Sequence, residues 1–425
     1  MTMAMGMAMR RATQPDLNRA SFRGGPTGTR RRLEILSITI LCMVGIWFTV
    51  SVGIAAVVRE RDPVLALRLW PGDARALAVQ ADNGLLTNPG PREIALAKTR
   101  AQQSLARDPT GAPALRVLGF VKDNSGDLVG ARKMIRASER LSRRDLAGQM
   151  WLINDAVARD QAAEALGHFD TALRTSDLAP PILLPVLARA TEDARLIAPL
   201  ATMLTRRPLW GPSFVSEAIH HGPVPQNLVL LDQALRVRGA PMSRPLVQQL
   251  VDQLVALNRF DDALTIYGRA IGQADAVALV RNQRFEHESQ VTPFDWMIGS
   301  TDSVSVSRSI DGDGADRHRL TFTASSGGNG DLARQLLVLP PGHYRASVDA
   351  DAKGADVRIS LSCADATRLG LAESPLTKRR SSVLFVVPPL GCKGQWIAIK
   401  LIRVVDLDGA SGWVDNVSVT SGQGL

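Results

Sequence analysis

Cysteine is the most reactive side chain in this 425-residue sequence, and it occurs three times. Cys42 sits in an uncharged apolar run and is expected to be inert. Cys363 ends the segment ISLSC and Cys392 begins CKGQW, with 28 residues between them. In an oxidising compartment the two can pair; otherwise they are two buried thiols. A bridge closing a loop of that size is worth about 3–4 kcal/mol in the chain-entropy model. The carboxylates suggest less chemistry. Glu192-Asp193 and Asp261-Asp262 are neighbours on helices or helix starts, where negative charge stabilises without catalysing anything. Asp311, Asp313 and Asp316 form an acidic loop, DGDGAD, that lacks the spacing and terminal Glu of a calcium-binding EF-hand. It reads as a solvated hairpin loop. His220 and His221 are adjacent, so on a helix they point in different directions and make poor joint ligands. His168, His287, His318 and His343 have no visible nucleophile partner. The sequence contains no G-x-S-x-G, no Walker-type phosphate loop, no H-E-x-x-H and no C-x-x-C. A glycosidase would need two carboxylates across a cleft, which sequence does not place. The expectation is a chain that is not an enzyme.

The elements that position these residues fall into distinct blocks. Composition is 45% apolar and 21% charged, so most of the chain should fold, as roughly three structural units. The net charge is +9, but residues 1–34 hold seven Arg against Asp16 and Glu34 and so contribute +5 of it. The charge therefore belongs chiefly to a disordered basic tail. Topology and anionic lipid account for it better than nucleic acid does. Aromatic residues are only 4%, thin for a stacking surface that binds sugar or single strands.

Ile35 to Val58 is a run of 24 residues without a charge. A helix of that length crosses a hydrocarbon core of about 30 Å. The run is longer than a signal-peptide core, and Gly53-Ile54-Ala55 is a weak cleavage site. The reading is an uncleaved transmembrane helix. The short Arg-rich side favours a cytoplasmic N-terminal tail, 1–34, with the bulk in the periplasm of a bacterial inner membrane.

Residues 59–275 read as helical, rich in Ala, Leu and Arg. Ala97, Ala131 and Ala165 recur every 34 residues. A second small position falls at Ser104, Ser138 and Ala172, and a bulkier one between them at Ala101, Ile135 and Phe169. Leu118-Gly119 sits in a first helix, Gly126-Asp127 makes a turn, and Ala131 follows in a second helix. Small residues are needed where paired helices cross closely. Ala263, Tyr267 and Ala270 form a last matching unit. This register resembles the tetratricopeptide repeat family. The resemblance implies a solenoid whose concave surface holds a peptide or partner protein. Ten of the 24 Pro lie between Leu178 and Pro245, where short hairpins with irregular joints are expected.

From about Val280 alternation replaces helical spacing. About eight strands are expected over 280–421, separated by Gly, Asp and Pro turns, as in an antiparallel sandwich. The block opens with Val280-Arg281-Asn282-Gln283-Arg284-Phe285-Glu286 and Thr292-Pro293-Phe294-Asp295-Trp296. It closes with Trp413-Val414-Asp415-Asn416-Val417-Ser418-Val419. These motifs are similar to those of carbohydrate-binding-module jelly rolls, with Gln283 in place of the usual Gly. The resemblance implies that the first and last strands lie together and that Glu286 and Asp415 help hold a structural calcium. The alternative for this pair is an ion pair from Glu286 and a turn cap from Asp415. Trp296, Tyr344, Phe385, Trp396 and Trp413 are the rings available for sugar, although most occupy core-like positions.

The combined expectation is a multidomain chain with one transmembrane helix, an all-α repeat solenoid and an all-β jelly roll. Proteins of this look accompany bacterial exopolysaccharide or envelope systems. The expected role is a non-catalytic scaffold whose solenoid binds envelope proteins. Polysaccharide is a further expected partner, and a glycan-binding protein with the solenoid as spacer is the rival.

Overall fold

In a computed structural model the described residues are 27–85, 89–272, 279–310, 317–365 and 369–422. The acidic loop at Asp311–Asp316 and the Arg cluster of residues 10–23 lie outside them. The chain divides into two compact units, Met1–Leu141 and Ser142–Leu425.

The first unit begins with the apolar run. Helix α1 spans Thr27–Val58, and its segment Ile35–Val58 has a mean hydropathy of 2.3. Side chains from Ile35 to Val50 are all exposed, so the segment is long and apolar enough to cross a membrane. Its hydroxyls do not spoil this. Thr39 and Thr49 donate to the carbonyls of Ile35 and Gly45, four residues back, at 2.8 Å. The last turns differ from the rest. Ser51 and Ala55 are buried, and Ala55 packs with Ala66 and Ala76. Those alanines belong to α2 (Pro63–Leu69) and α3 (Ala74–Asn83). Trp70 meets Phe48 edge-on at 4.8 Å. Protein thus covers one face of the end that the sequence reading treats wholly as span. Asp62 and Asp73 start α2 and α3 by accepting the N–H groups of Leu65, Arg75 and Ala76.

Helices α4 (Pro91–Arg107), α5 (Ala112–Asn124) and α6 (Leu128–Leu141) complete this unit. Ala97, Ala101 and Ser104 are buried on α4, and Ala131, Ile135 and Ser138 on α6. The reason for small residues is visible at Gly119. A Cβ built there would collide with Ile135 Cγ1 and come within 3.3 Å of the Ala131 carbonyl. The second small position does more than allow close approach. Ser104 donates to the carbonyl of Ala74 at 2.6 Å, and Ser138 to that of Ala112 at 2.7 Å. Each hydroxyl ties a second helix to the first residue of the helix before it.

The second unit holds α7 (Leu146–Ala158), α8 (Ala162–Thr175), α9 (Pro180–Ala190), α10 (Ile197–Leu204), α11 (Gly211–His221), α12 (Pro225–Val237), α13 (Arg244–Ala256) and α14 (Phe260–Ile271). Helices α7 and α8 pair, as do α13 and α14. In the Pro-rich stretch the pairing changes, with α9 along α11 and α10 along α12. Half of these ten prolines start helices. Pro180, Pro181, Pro212, Pro225 and Pro245 occupy first turns or the cap before them, where no N–H is lost to the ladder. Pro185 lies in the interior of α9, and Pro199 is the third residue of α10.

The same unit ends in a sandwich of two five-stranded antiparallel sheets. One has the order β1 (Met297–Ile298), β4 (Gly330–Leu337), β9 (Gln395–Val404), β6 (Ala355–Cys363), β7 (Gly370–Pro375). The other has β2 (Val304–Ile310), β3 (His318–Ala324), β10 (Ala410–Ser421), β5 (Gly342–Lys353), β8 (Arg380–Val387). Its core joins inward residues of both sheets, among them Phe322, Val348, Ile359, Ile399 and Val414. The two strands absent from the sequence reading, β1 and β7, are edges of one sheet; β7 has no buried alternation to reveal it.

Candidate functional site

The structure brings the opening and closing sandwich motifs together. Val417 N–H donates to the Gln283 carbonyl at 2.9 Å. Asn282 and Phe285 take left-handed backbone angles, φ 49° and 57°, so the turn does not need glycine at 283. Asn416 is also left-handed, at a register shift of β10 against β5 between Asp415 and Ser418.

Glu286 and Asp415 do lie near each other, with Asp349 beside them. Burial pushes the Asp415 carboxyl above the usual carboxylate range, opposed by the Asn416 N–H and Arg284; Asp349 and Glu286 add repulsion. Yet each carboxylate is engaged. His318 meets Glu286 Oε2 through its backbone N–H and Nδ1, both at 3.3 Å. Arg380 and Asn416 donate to Asp349 at 2.8 and 3.0 Å. Asp415 Oδ1 accepts the Asn416 N–H at 2.7 Å. No group of three or more His, Cys, Asp or Glu is placed for a metal among the described residues. These side chains by themselves do not gather the six to eight oxygens that calcium requires.

Cys363 and Cys392 form a disulfide, buried at the ends of β6 and the loop before β9. Of the repeat positions, Ala97, Ala131, Ala165 and Ala263 are buried and Ala270 is half-buried. Tyr267 leaves the role of plain repeat packing. Its hydroxyl donates to Asp295 Oδ1 of the sandwich entry at 2.5 Å.

Three of the five rings proposed for sugar are buried and two are partly covered. Trp296, Tyr344 and Phe385 are buried. Trp396 and Trp413 are half-buried, beneath Arg334 and Arg319 at 5.0 and 5.2 Å. A polar cavity of about 640 Å³ at the ends of β2, β3 and β10 has no aromatic wall.

A different surface stands out in the Pro-rich helices. A groove of about 490 Å³ is walled by apolar residues, including Leu204, Pro208, Val215, Met242 and Leu246. Leu209 stands at its edge, 99% exposed. Arg207 lines it, while Arg206, Arg238 and Arg244 flank lining residues in the chain. None of the four is in an ion pair among the described residues. Sequence reasoning missed this surface. The signal was present in RRPLWGP, where a leucine follows two arginines at a proline turn.

No protein family model and no curated protein matches the chain. Several solved structures are similar to parts of the chain. TmCBM61 in complex with beta-1,4-galactotriose is 16% identical, with 34% of this chain and 98% of that one covered, at a TM-score of 0.26. Pseudomonas aeruginosa pilF is 15% identical, with 53% and 98% covered, at 0.27. The active domain of bacteriophage CBA120 tailspike protein 4 is 17% identical at 0.27, and the match spans 22% of its length. Scores this low carry no weight for ligand or partner.

Proposed function

We propose that this chain is a non-catalytic scaffold anchored in a bacterial inner membrane, with its bulk in the periplasm, that recruits envelope proteins such as those of exopolysaccharide assembly. The observation that carries this reading is α1, whose apolar run is exposed from Ile35 to Val50 and whose last turns pack directly against folded helices. A cleaved leader would have no reason to supply buried side chains to the mature core. The Arg-rich N-terminal flank favours a cytoplasmic tail. A disulfide in the sandwich suits an oxidising compartment.

The groove beside Leu209 is the recruiting surface in this account. Its occupant is an apolar peptide segment carrying acidic residues, because the walls are apolar and the unpaired charges around them are all cationic. A glycan-binding role has weaker support, since the sandwich rings are buried or partly covered. The test places a photo-crosslinking amino acid at Leu209 in intact membranes, with exposed Leu407 as the control site. A defined adduct through an acidic segment of an envelope protein is expected at Leu209 only, and it should be lost on Arg206→Glu with Arg207→Glu. Adducts that ignore the charge reversal, or equal labelling from Leu407, would contradict the proposal.

A further inference from the structure

Arg281 opens the sandwich, and its side chain lies against α14. Its backbone is fixed by a buried glutamine. Gln335 Oε1 accepts the Arg281 N–H at 2.9 Å, and Gln335 Nε2 donates to the Arg281 carbonyl at 3.0 Å. The guanidinium is sandwiched between two rings, 4.8 Å from the centroid of Tyr267 and 5.4 Å from that of Phe294. Arg281 is only 5% exposed, and its Nε and Nη1 are buried with no hydrogen-bond partner. A buried guanidinium with two nitrogens lacking hydrogen bonds is expensive, and the ring faces and the nearby Asp295 charge supply only part of what water or a directly bonded carboxylate would.

Beside it is a cavity of about 440 Å³, lined by Arg281, Arg284, Glu286, Glu288 and Asp295 among others. None of the three acids bonds to the arginine, and each is engaged elsewhere or in solvent. Asp295 accepts the Tyr267 hydroxyl and, at Oδ2, the N–H groups of Gln290 and Val291 at 2.6 and 2.8 Å. Glu286 is taken by His318. Glu288 is largely in solvent, 4.0 Å from Arg308. The charges of this cavity that lack a close ion pair are cationic, although Asp295 acts on Arg281 and Asp415 on Arg284 from farther off. Arg281 lies within it, and Arg284, which is exposed and in no ion pair among the described residues, lies at its rim.

We propose that this cavity binds a small group bearing anionic oxygens, a carboxylate or a phosphate, held by Arg281 with Arg284 assisting. The guanidinium is pre-oriented by two rings and a tethered backbone, so little freedom is lost when the anion arrives. The site is independent of the groove beside Leu209, and its failure would leave the scaffold reading intact.

The test uses the full-length protein in a neutral detergent, titrated with sodium acetate, sodium phosphate or sodium chloride at matched ionic strength. The thermal midpoint is expected to rise and saturate with acetate or phosphate and to stay flat with chloride. Whichever anion half-saturates lower identifies the carboxylate or the phosphate source. Arg281→Met should raise the half-saturating concentration at least tenfold, and Arg284→Gln a fewfold. Should Arg281→Met fail to fold, Arg281→Lys keeps the charge but loses the planar fork and should still weaken the response severalfold. No anion-specific rise in the natural protein would mean that the cavity does not offer Arg281 to an anion, and would overturn the proposal. So would a rise left unchanged in the Arg281 variants.

Discussion

The Tyr267 hydroxyl, on the last repeat helix, donates to Asp295 of the sandwich entry at 2.5 Å. Both residues are buried. A second tie runs parallel to it: Gln248 exchanges two hydrogen bonds with the backbone of Thr292, at 2.7 and 2.9 Å. The hydrophobic core of α8–α14 continues through Phe294 and Val291 to Leu336 of β4. The last helices and the sandwich therefore share one core.

Tyr267→Phe removes one of three donors from a buried carboxylate. It should cost about 1–3 kcal/mol in urea unfolding. Combined with Asp295→Asn, the loss should be clearly less than additive, because the two residues act through one bond. Additive losses would show that the bond contributes nothing.

Gly119→Ala puts a methyl group against Ile135 and should destabilise the first unit by about 1–3 kcal/mol through overpacking. Adding Ile135→Val should restore part of it. Calorimetry of the two variants decides whether this crossing is as tight as the structure has it.

Much of the architecture was readable because it rests on periodicity. The 34-residue recurrence of Ala97, Ala131 and Ala165 comes from helix crossings that tolerate only small side chains. Strands with alternating burial, such as β2, β5 and β8, were legible for the same kind of reason. What stayed hidden depends on long-range neighbours. Strand β7 is an edge with nothing buried to alternate. Ser104 and Ser138 looked merely small, whereas their hydroxyls reach carbonyls 30 and 26 residues away. Trp70 gives no local sign that it folds back onto Phe48. The carboxylates Glu286 and Asp415 suggested a metal by motif, but the partners that occupy Glu286 and Asp349 come from β3 and β8, which no local spacing reveals.

Removing the Cys363–Cys392 bridge should lower stability by about 3–4 kcal/mol, from the loop of 29 residues that it closes. Chemical denaturation of the Cys363→Ala, Cys392→Ala double variant measures this. An unchanged midpoint would mean that the bridge does not form in the cell.

Asp415 has a carboxyl raised chiefly by burial. A raised folded pKa for an acid means that the protonated form is the better folded one. Stability from this group is therefore full below about pH 3.8 and is lost as pH rises through the folded value. Asp415→Asn should stabilise the sandwich slightly at neutral pH, since the group is only half-buried. That gain should vanish under acid. A gain that persists at low pH would exclude titration as its cause.

The central claim is that α1 anchors the chain and sends everything after it across the membrane. Alkaline phosphatase and a green fluorescent reporter, each fused after Ser421, test it most directly in intact bacteria, with sodium carbonate extraction of the membranes alongside. The account predicts an active phosphatase, a dark fluorescent fusion and protein retained in the carbonate pellet at its full uncleaved mass. A fluorescent fusion with inactive phosphatase, or a shortened protein released by carbonate, would contradict it.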